Sequence, residues 1–110
     1  MKPDSIGVIG GGSWGTTLAH LFAVAGNPVT LCVRRKEQAN EINQAHTNDR
    51  YLSGYTLHEG VMAVTELSKV AQHCQLIVLA VPSSSFRETS YALGEFIRGD
   101  QILLLSLIHI

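Results

Sequence analysis

Strict strand–helix alternation along the 110-residue chain predicts an α/β fold, a doubly wound parallel sheet. Three observations carry that expectation. Short β-branched and aliphatic runs alternate with segments of helical periodicity from Ile6 to Leu105. The first such run ends in a glycine cluster, Gly10-Gly11-Gly12-Ser13-Trp14-Gly15, that opens a helical pattern. A later run, LIVLAV at residues 76–81, is apolar throughout, as a strand covered on both faces of a parallel sheet must be. The expected strand order is 3-2-1-4-5, with helices on both faces and right-handed crossovers.

Ile6, Val8 and Ile9 form the first strand. The cluster after it fits G-x-G-x-x-G at Gly10, Gly12 and Gly15. In that pattern Gly10 allows the tight turn, Gly12 lets backbone approach a pyrophosphate, and Gly15 lets the helix pack close to the sheet. The first helical turn offers unpaired N–H groups and the positive end of its dipole. With a strand before and a helix after, the motif sits in the frame of a Rossmann-type dinucleotide-binding unit. The alternative is a purely structural glycine turn. Ser13 is the expected N-cap of this first helix. Trp14, Leu18, Leu21, Phe22 and Ala25 are its expected apolar face, and Gly26 its left-handed C-cap, with Pro28 just beyond.

Residues 28–33 (PVTLCV) read as the second strand, with Arg34 and Arg35 at its carboxyl end. A unit that selects NAD carries an acidic residue at about this place, some 20 residues past the glycines, to hold the ribose hydroxyls. Here two guanidinium groups stand there instead, with Glu37 further on. Guanidinium forks suit a 2′-phosphate and stack on adenine, so NADP(H) is the preferred cofactor and NAD(H) the alternative. Two charge-assisted hydrogen bonds at ~1.5 kcal/mol each give about a hundredfold preference. A solvated basic pair at a strand end is the competing reading. Residues 36–46 carry Ala39, Ile42 and Ala45 at helical spacing. Residues 47–60 are polar and irregular, with Tyr51 and Leu52 placed to pin the loop to the body. Residues 61–64 form a short third strand, and Thr65 caps the helix that runs on through Leu67, Val70 and Ala71.

The strand at residues 76–81 ends in Pro82-Ser83-Ser84-Ser85, where Ser85 and Glu88 spell a capping box for the next helix. That helix places Phe86, Leu93 and Ile97 on one side. Ligands of open α/β sheets bind beyond the carboxyl ends of the strands, so residues 81–83 belong to the crevice of residues 10–15. The serines lack a G-x-S-x-G frame and a paired base, so they are caps rather than nucleophiles. Gly99 and Asp100 turn the chain into a fifth strand at residues 101–105. Repeats, low-complexity tracts and linkers are absent from the sequence.

Composition narrows the partners. Apolar residues make up 45% of the chain and charged ones 15%, and the formal net charge is -1. Neither nucleic acid nor a membrane surface is an expected partner. Cys32 and Cys74 read as reduced core thiols, not a disulfide or a metal pair, and no metal site is expected. The start MKPDSIGV lacks the apolar region of a signal peptide, and no run is long enough to span a bilayer. A cytoplasmic location is the expectation.

The segments GGGSWGTTLA, VTLCVRR, RYLSG and LIVLAVPS resemble, in matching order, the N-terminal part of the bacterial-type NAD(P)-dependent glycerol-3-phosphate dehydrogenases. The resemblance implies reduction of dihydroxyacetone phosphate to sn-glycerol 3-phosphate for phospholipid synthesis. It implies that Ser13, Trp14, Arg34, Arg35 and Tyr51 contact NADPH, with Trp14 lying over the cofactor. It also implies a small-molecule cofactor and a phosphorylated triose substrate for the full-length protein, which admits a homo-oligomer.

The chain departs from the family after the fifth strand. The family continues with a serine, a threonine-lysine-glycine turn, and a lysine that touches cofactor and substrate. Here Ser106 is followed by Leu107, Ile108, His109 and Ile110. The family's catalytic lysine belongs to a later helical domain, so no residue of this chain is assigned as catalytic. Residues 1–110 are therefore expected to be an incomplete N-terminal dinucleotide-binding domain, truncated after the fifth strand and inactive by itself. One permitted codon choice for residues 105–110 (LSLIHI), CTG-TCT-CTT-ATA-CAC-ATC, spells a transposon-end adaptor used in sequencing libraries. Those residues are accordingly expected to be artefactual, a genuine divergent strand being the alternative. Two other functions compete: part of another NADP-linked reductase, such as a ketopantoate reductase or a hydroxy-acid dehydrogenase, and a non-catalytic nucleotide-sensing domain. RYLSG and VPSSSF argue against the first, and the mid-strand ending against the second.

Overall fold

The structure is a computed structural model that describes residues 5–97 and 101–105, with only the backbone of residues 102–105. The expectations for Gly99 and Asp100 and for residues 106–110 lie outside the described residues. Nine elements alternate: β1 (Ile6–Ile9), α1 (Ser13–Val24), β2 (Val29–Cys32), α2 (Lys36–Ala45), β3 (Val61–Val64), α3 (Leu67–His73), β4 (Leu76–Leu79), α4 (Ser83–Gly94) and β5 (Ile102–Leu105). The strands form one parallel sheet in the order β3-β2-β1-β4-β5, as the sequence predicts.

Register follows from side-chain alternation. Ile6 pairs with Val29 and Leu76, so Val8, Leu31 and Val78 line up across one face. That face joins Ala19 and Ala23 of α1 and Ala39 and Ile42 of α2 in one core. The opposite face presents Ile9, Cys32, Ile77 and Leu79 to Val70 and Ala71 of α3 and Leu93 of α4, with Phe86 and Ile97 packed alongside. The chain thus winds α1 and α2 over one side and α3 and α4 over the other. The order reverses between β1 and β4, which leaves a crevice above their carboxyl ends. Cys32 and Cys74 are buried free thiols. Among the described residues no helix is long and apolar enough to cross a membrane, and no cluster could hold a metal ion.

Local details correct four sequence expectations. The buried stripe of α1 is Gly15, Thr16, Ala19 and Ala23, with Leu18 and Phe22 flanking it, while Leu21 and Ala25 face outward. Small residues win there because the helix comes too near the strand ends for large ones. Ser13 is the first helical residue and Gly12 occupies the N-cap. Thr65 does not cap α3, which starts after Glu66. Ser85 lies inside the first turn of α4 behind an N-cap at Pro82. In each case the cap residue makes no side-chain capping hydrogen bond, and the Ser13 and Ser85 hydroxyls bond elsewhere. The C-terminal signal of α1 fares better. Gly26 (φ 101°) donates to Ala23 and Asn27 donates to Phe22, a Schellman closure.

Candidate functional site

The cleft at the carboxyl ends of β1, β2 and β4 has a volume of about 1060 Å³. Its floor is set by three ladder extensions: Gly10 N–H donates to Cys32, Val33 N–H to Val64, and Ala80 N–H to Ile9. These bonds bring the ends of four strands level, so the turns that follow them meet at one place.

The glycine turn forms the centre of the cleft wall. Gly10 adopts φ 126°, a conformation that L side chains rarely take. A Cβ on Gly15 would stand 1.8 Å from the Gly10 carbonyl oxygen, so the helix start packs directly on the turn. Gly12 differs, because a Cβ there meets nothing within 4 Å. The backbone is open on that side. Among the described residues neither the Gly11 nor the Gly12 N–H has a backbone acceptor, and the N-terminus of α1 lies next to them. Unpaired N–H groups and a helix dipole at an open backbone suit an anion.

All eight residues singled out from the sequence line this one cleft: Gly10, Gly12, Ser13, Trp14, Gly15, Arg34, Arg35 and Tyr51. Trp14 and Tyr51, both in the cleft lining, are 42% and 37% exposed. Ser13 Oγ donates to the Tyr51 carbonyl oxygen at 2.6 Å, which ties the 47–60 loop to the helix start. The Arg50 guanidinium lies 5.8 Å from the Tyr51 ring centroid, within cation–π range. Arg34 and Arg35 are exposed at the end of β2, and Arg34 Nη2 donates to Ser85 Oγ across the cleft at 3.4 Å. At that length the contact is weak and leaves the guanidinium able to turn to a ligand.

The lining has a one-sided charge. It holds Arg34, Arg35 and Arg50 and no aspartate or glutamate among the described residues. Cys32 also lines it, but burial pushes its thiol up to about 11, so it stays protonated and unreactive at neutral pH.

Two residues escaped the sequence reading. Gln38 and Asn48 are buried, and both donate to the Gly11 carbonyl oxygen, at 2.8 and 3.1 Å. Gln38 precedes Ile42 by four positions and so shares its helix face, which was a readable signal. Asn48 lies in an irregular loop, where no periodicity could reveal it.

A family model described as NAD-dependent glycerol-3-phosphate dehydrogenase N-terminus matches residues 5–108. A glycerol-3-phosphate dehydrogenase (NAD(P)+) of Corynebacterium urealyticum is 39% identical over 99 residues, covering 90% of this chain and 30% of that protein. The Corynebacterium diphtheriae protein of the same name is 50% identical over 82 residues, covering 74% and 25%. The crystal structure of glycerol-3-phosphate dehydrogenase from Coxiella burnetii superposes with a TM-score of 0.88 at 27% identity, over 97% of this chain and 33% of that one. The chain therefore spans a quarter to a third of the length of these relatives. On the match to residues 5–108, the chain belongs to the family of the NAD-dependent glycerol-3-phosphate dehydrogenase N-terminus.

Proposed function

We propose that this chain is the NADP(H)-binding portion of a glycerol-3-phosphate dehydrogenase, with NAD(H) the weaker ligand. The observation that carries this is the cleft lining: an open glycine turn at a helix start, three arginines and no carboxylate among the described residues. Gly10, Gly12 and Gly15 shape the turn that receives the pyrophosphate, aided by the N–H groups beside Ser13. Trp14 and Tyr51 supply faces for the rings of the cofactor. Arg34 and Arg35 take the 2′-phosphate, for which a carboxylate at the end of β2 would be the wrong charge. The bound nicotinamide supplies the hydride chemistry.

In the whole protein the substrate is a phosphorylated triose, dihydroxyacetone phosphate, and the product sn-glycerol 3-phosphate feeds phospholipid synthesis in the cytoplasm. Among the described residues that line the cleft, none is assigned as the proton donor or as a substrate-holding group. Calorimetric titration of the purified protein with NADPH and with NADH tests the binding reading. Saturable binding with NADPH favoured is expected, and binding of neither dinucleotide would overturn it.

A further inference from the structure

We infer that Asn48 is a positioning residue for the phosphate turn: it presets the Gly11–Gly12 peptide for an incoming pyrophosphate without touching the ligand. The inference rests on the reading of the cleft as a dinucleotide site. Asn48 is 1% exposed and is not among the residues that line the cleft. Its Nδ2 donates to the Gly11 carbonyl oxygen at 3.1 Å and to Thr16 Oγ1 at 2.9 Å. Thr16 Oγ1 in turn approaches the same carbonyl at 3.3 Å, and Gln38 Nε2 donates to it at 2.8 Å. Gln38 Nε2 also reaches Asn48 Oδ1 at 3.3 Å, which fixes the amide orientation of Asn48. One backbone carbonyl is thus held by side chains from α1, α2 and the 47–60 loop.

The consequence follows from peptide geometry. The Gly11–Gly12 peptide bond is trans, and in a trans peptide the carbonyl and the next N–H point in opposite directions. Holding the Gly11 carbonyl on the buried network turns the N–H of Gly12, a residue that lines the cleft, to the side opposite that network. Without the network the peptide is free to rotate, and the ligand must then order it on binding. A Cβ at position 11 would stand 2.8 Å from Gln38 Nε2 and 2.7 Å from Val33 Cγ1, so a larger residue there would displace the network.

The test compares NADPH with adenosine 2′-monophosphate, which can reach Arg34 and Arg35 but carries no pyrophosphate. In Asn48→Leu, a near-isosteric change that removes the donor, NADPH affinity should fall about tenfold while adenosine 2′-monophosphate binds within about twofold of the unaltered protein. The Gly12 amide resonance should shift in the same variant. Thr16→Val, which keeps its shape and loses the hydroxyl, serves as the second variant and should show the same pattern at smaller size. Equal losses for both ligands would mean that Asn48 only supports the fold, and the inference fails. NADPH affinity kept in both variants also overturns it, with the cofactor reading intact. Absence of NADPH binding by the unaltered protein overturns that reading and this inference together.

Discussion

Gly15 sits directly beneath Gly10: a Cβ on Gly15 would stand 1.8 Å from the Gly10 carbonyl oxygen and 3.5 Å from the Ala80 Cβ. The helix start, the turn out of β1 and the end of β4 therefore close on one another with no room for a methyl group. Gly15→Ala should destabilise the fold by about 2–3 kcal/mol, because backbone rather than a flexible side chain must yield. Gly12→Ala meets nothing within 4 Å and sits at φ -75°, so its folded state should keep its stability. Its methyl group would instead occupy the open side of the turn, and NADPH affinity should drop at least ~10-fold. Urea denaturation with NADPH titration on both variants checks the contrast. Equal stability losses would contradict it.

Much of this was legible in the sequence because parallel strands buried on both faces are written as apolar runs. LIVLAV and the run before Gly10 left little freedom, and the order β3-β2-β1-β4-β5 followed from alternation. The orientation of α1 was not legible. Its hydrophobic residues mark Leu21 as inward, yet contact at the strand ends is made by Gly15, Thr16 and Ala19. Steric limits set by a close approach do not show up in hydrophobicity. Hydroxyl caps failed for a related reason. Ser13 and Ser85 sit one and three residues inside their helices, where the hydroxyls bond across the cleft to Tyr51 and Arg34.

The proposed preference for NADPH rests on the charge at the end of β2. Arg34→Asp combined with Arg35→Ala should weaken NADPH binding about a hundredfold and NADH binding by no more than a few-fold. Fluorescence titration of both dinucleotides measures it. Matching losses would remove the 2′-phosphate role from the two arginines.

The Cys32 thiol gives the fold a pH signature. Its folded value of about 11 exceeds the ordinary 9.0 because burial disfavours the thiolate. The folded state thus holds the proton more tightly than the unfolded one. The resulting stability is complete below pH ~9 and declines as pH rises toward ~11, by up to about 2 kcal/mol. Urea midpoints between pH 8 and about 11 should fall more steeply for the unaltered protein than for Cys32→Ala. At neutral pH, peptide mapping after iodoacetamide treatment of the native protein should find Cys32 unmodified. Rapid alkylation there would show an accessible thiolate.

The final prediction is that these 110 residues bind cofactor without turning over substrate. Reduction of a ketone by hydride needs the carbonyl held against the nicotinamide and a proton donor within hydrogen-bond reach of its oxygen. The described cleft lining offers arginines, hydroxyls, a tyrosine and a thiol, and contains no lysine, histidine, aspartate or glutamate. An arginine does not give up a proton at neutral pH, the Cys32 thiol is held at about 11, and the Tyr51 ring is the one proposed to face the cofactor rather than the substrate carbonyl. Binding energy alone does not compensate for a missing donor, which typically contributes 10²–10⁴-fold, about 3–5 kcal/mol of barrier. Purified protein with NADPH and dihydroxyacetone phosphate should therefore show no loss of the nicotinamide absorbance above the no-enzyme rate, while calorimetry on the same sample still detects NADPH. Substrate-dependent oxidation that co-purifies with the chain and disappears in Gly12→Ala would show that the described cleft holds a proton donor after all.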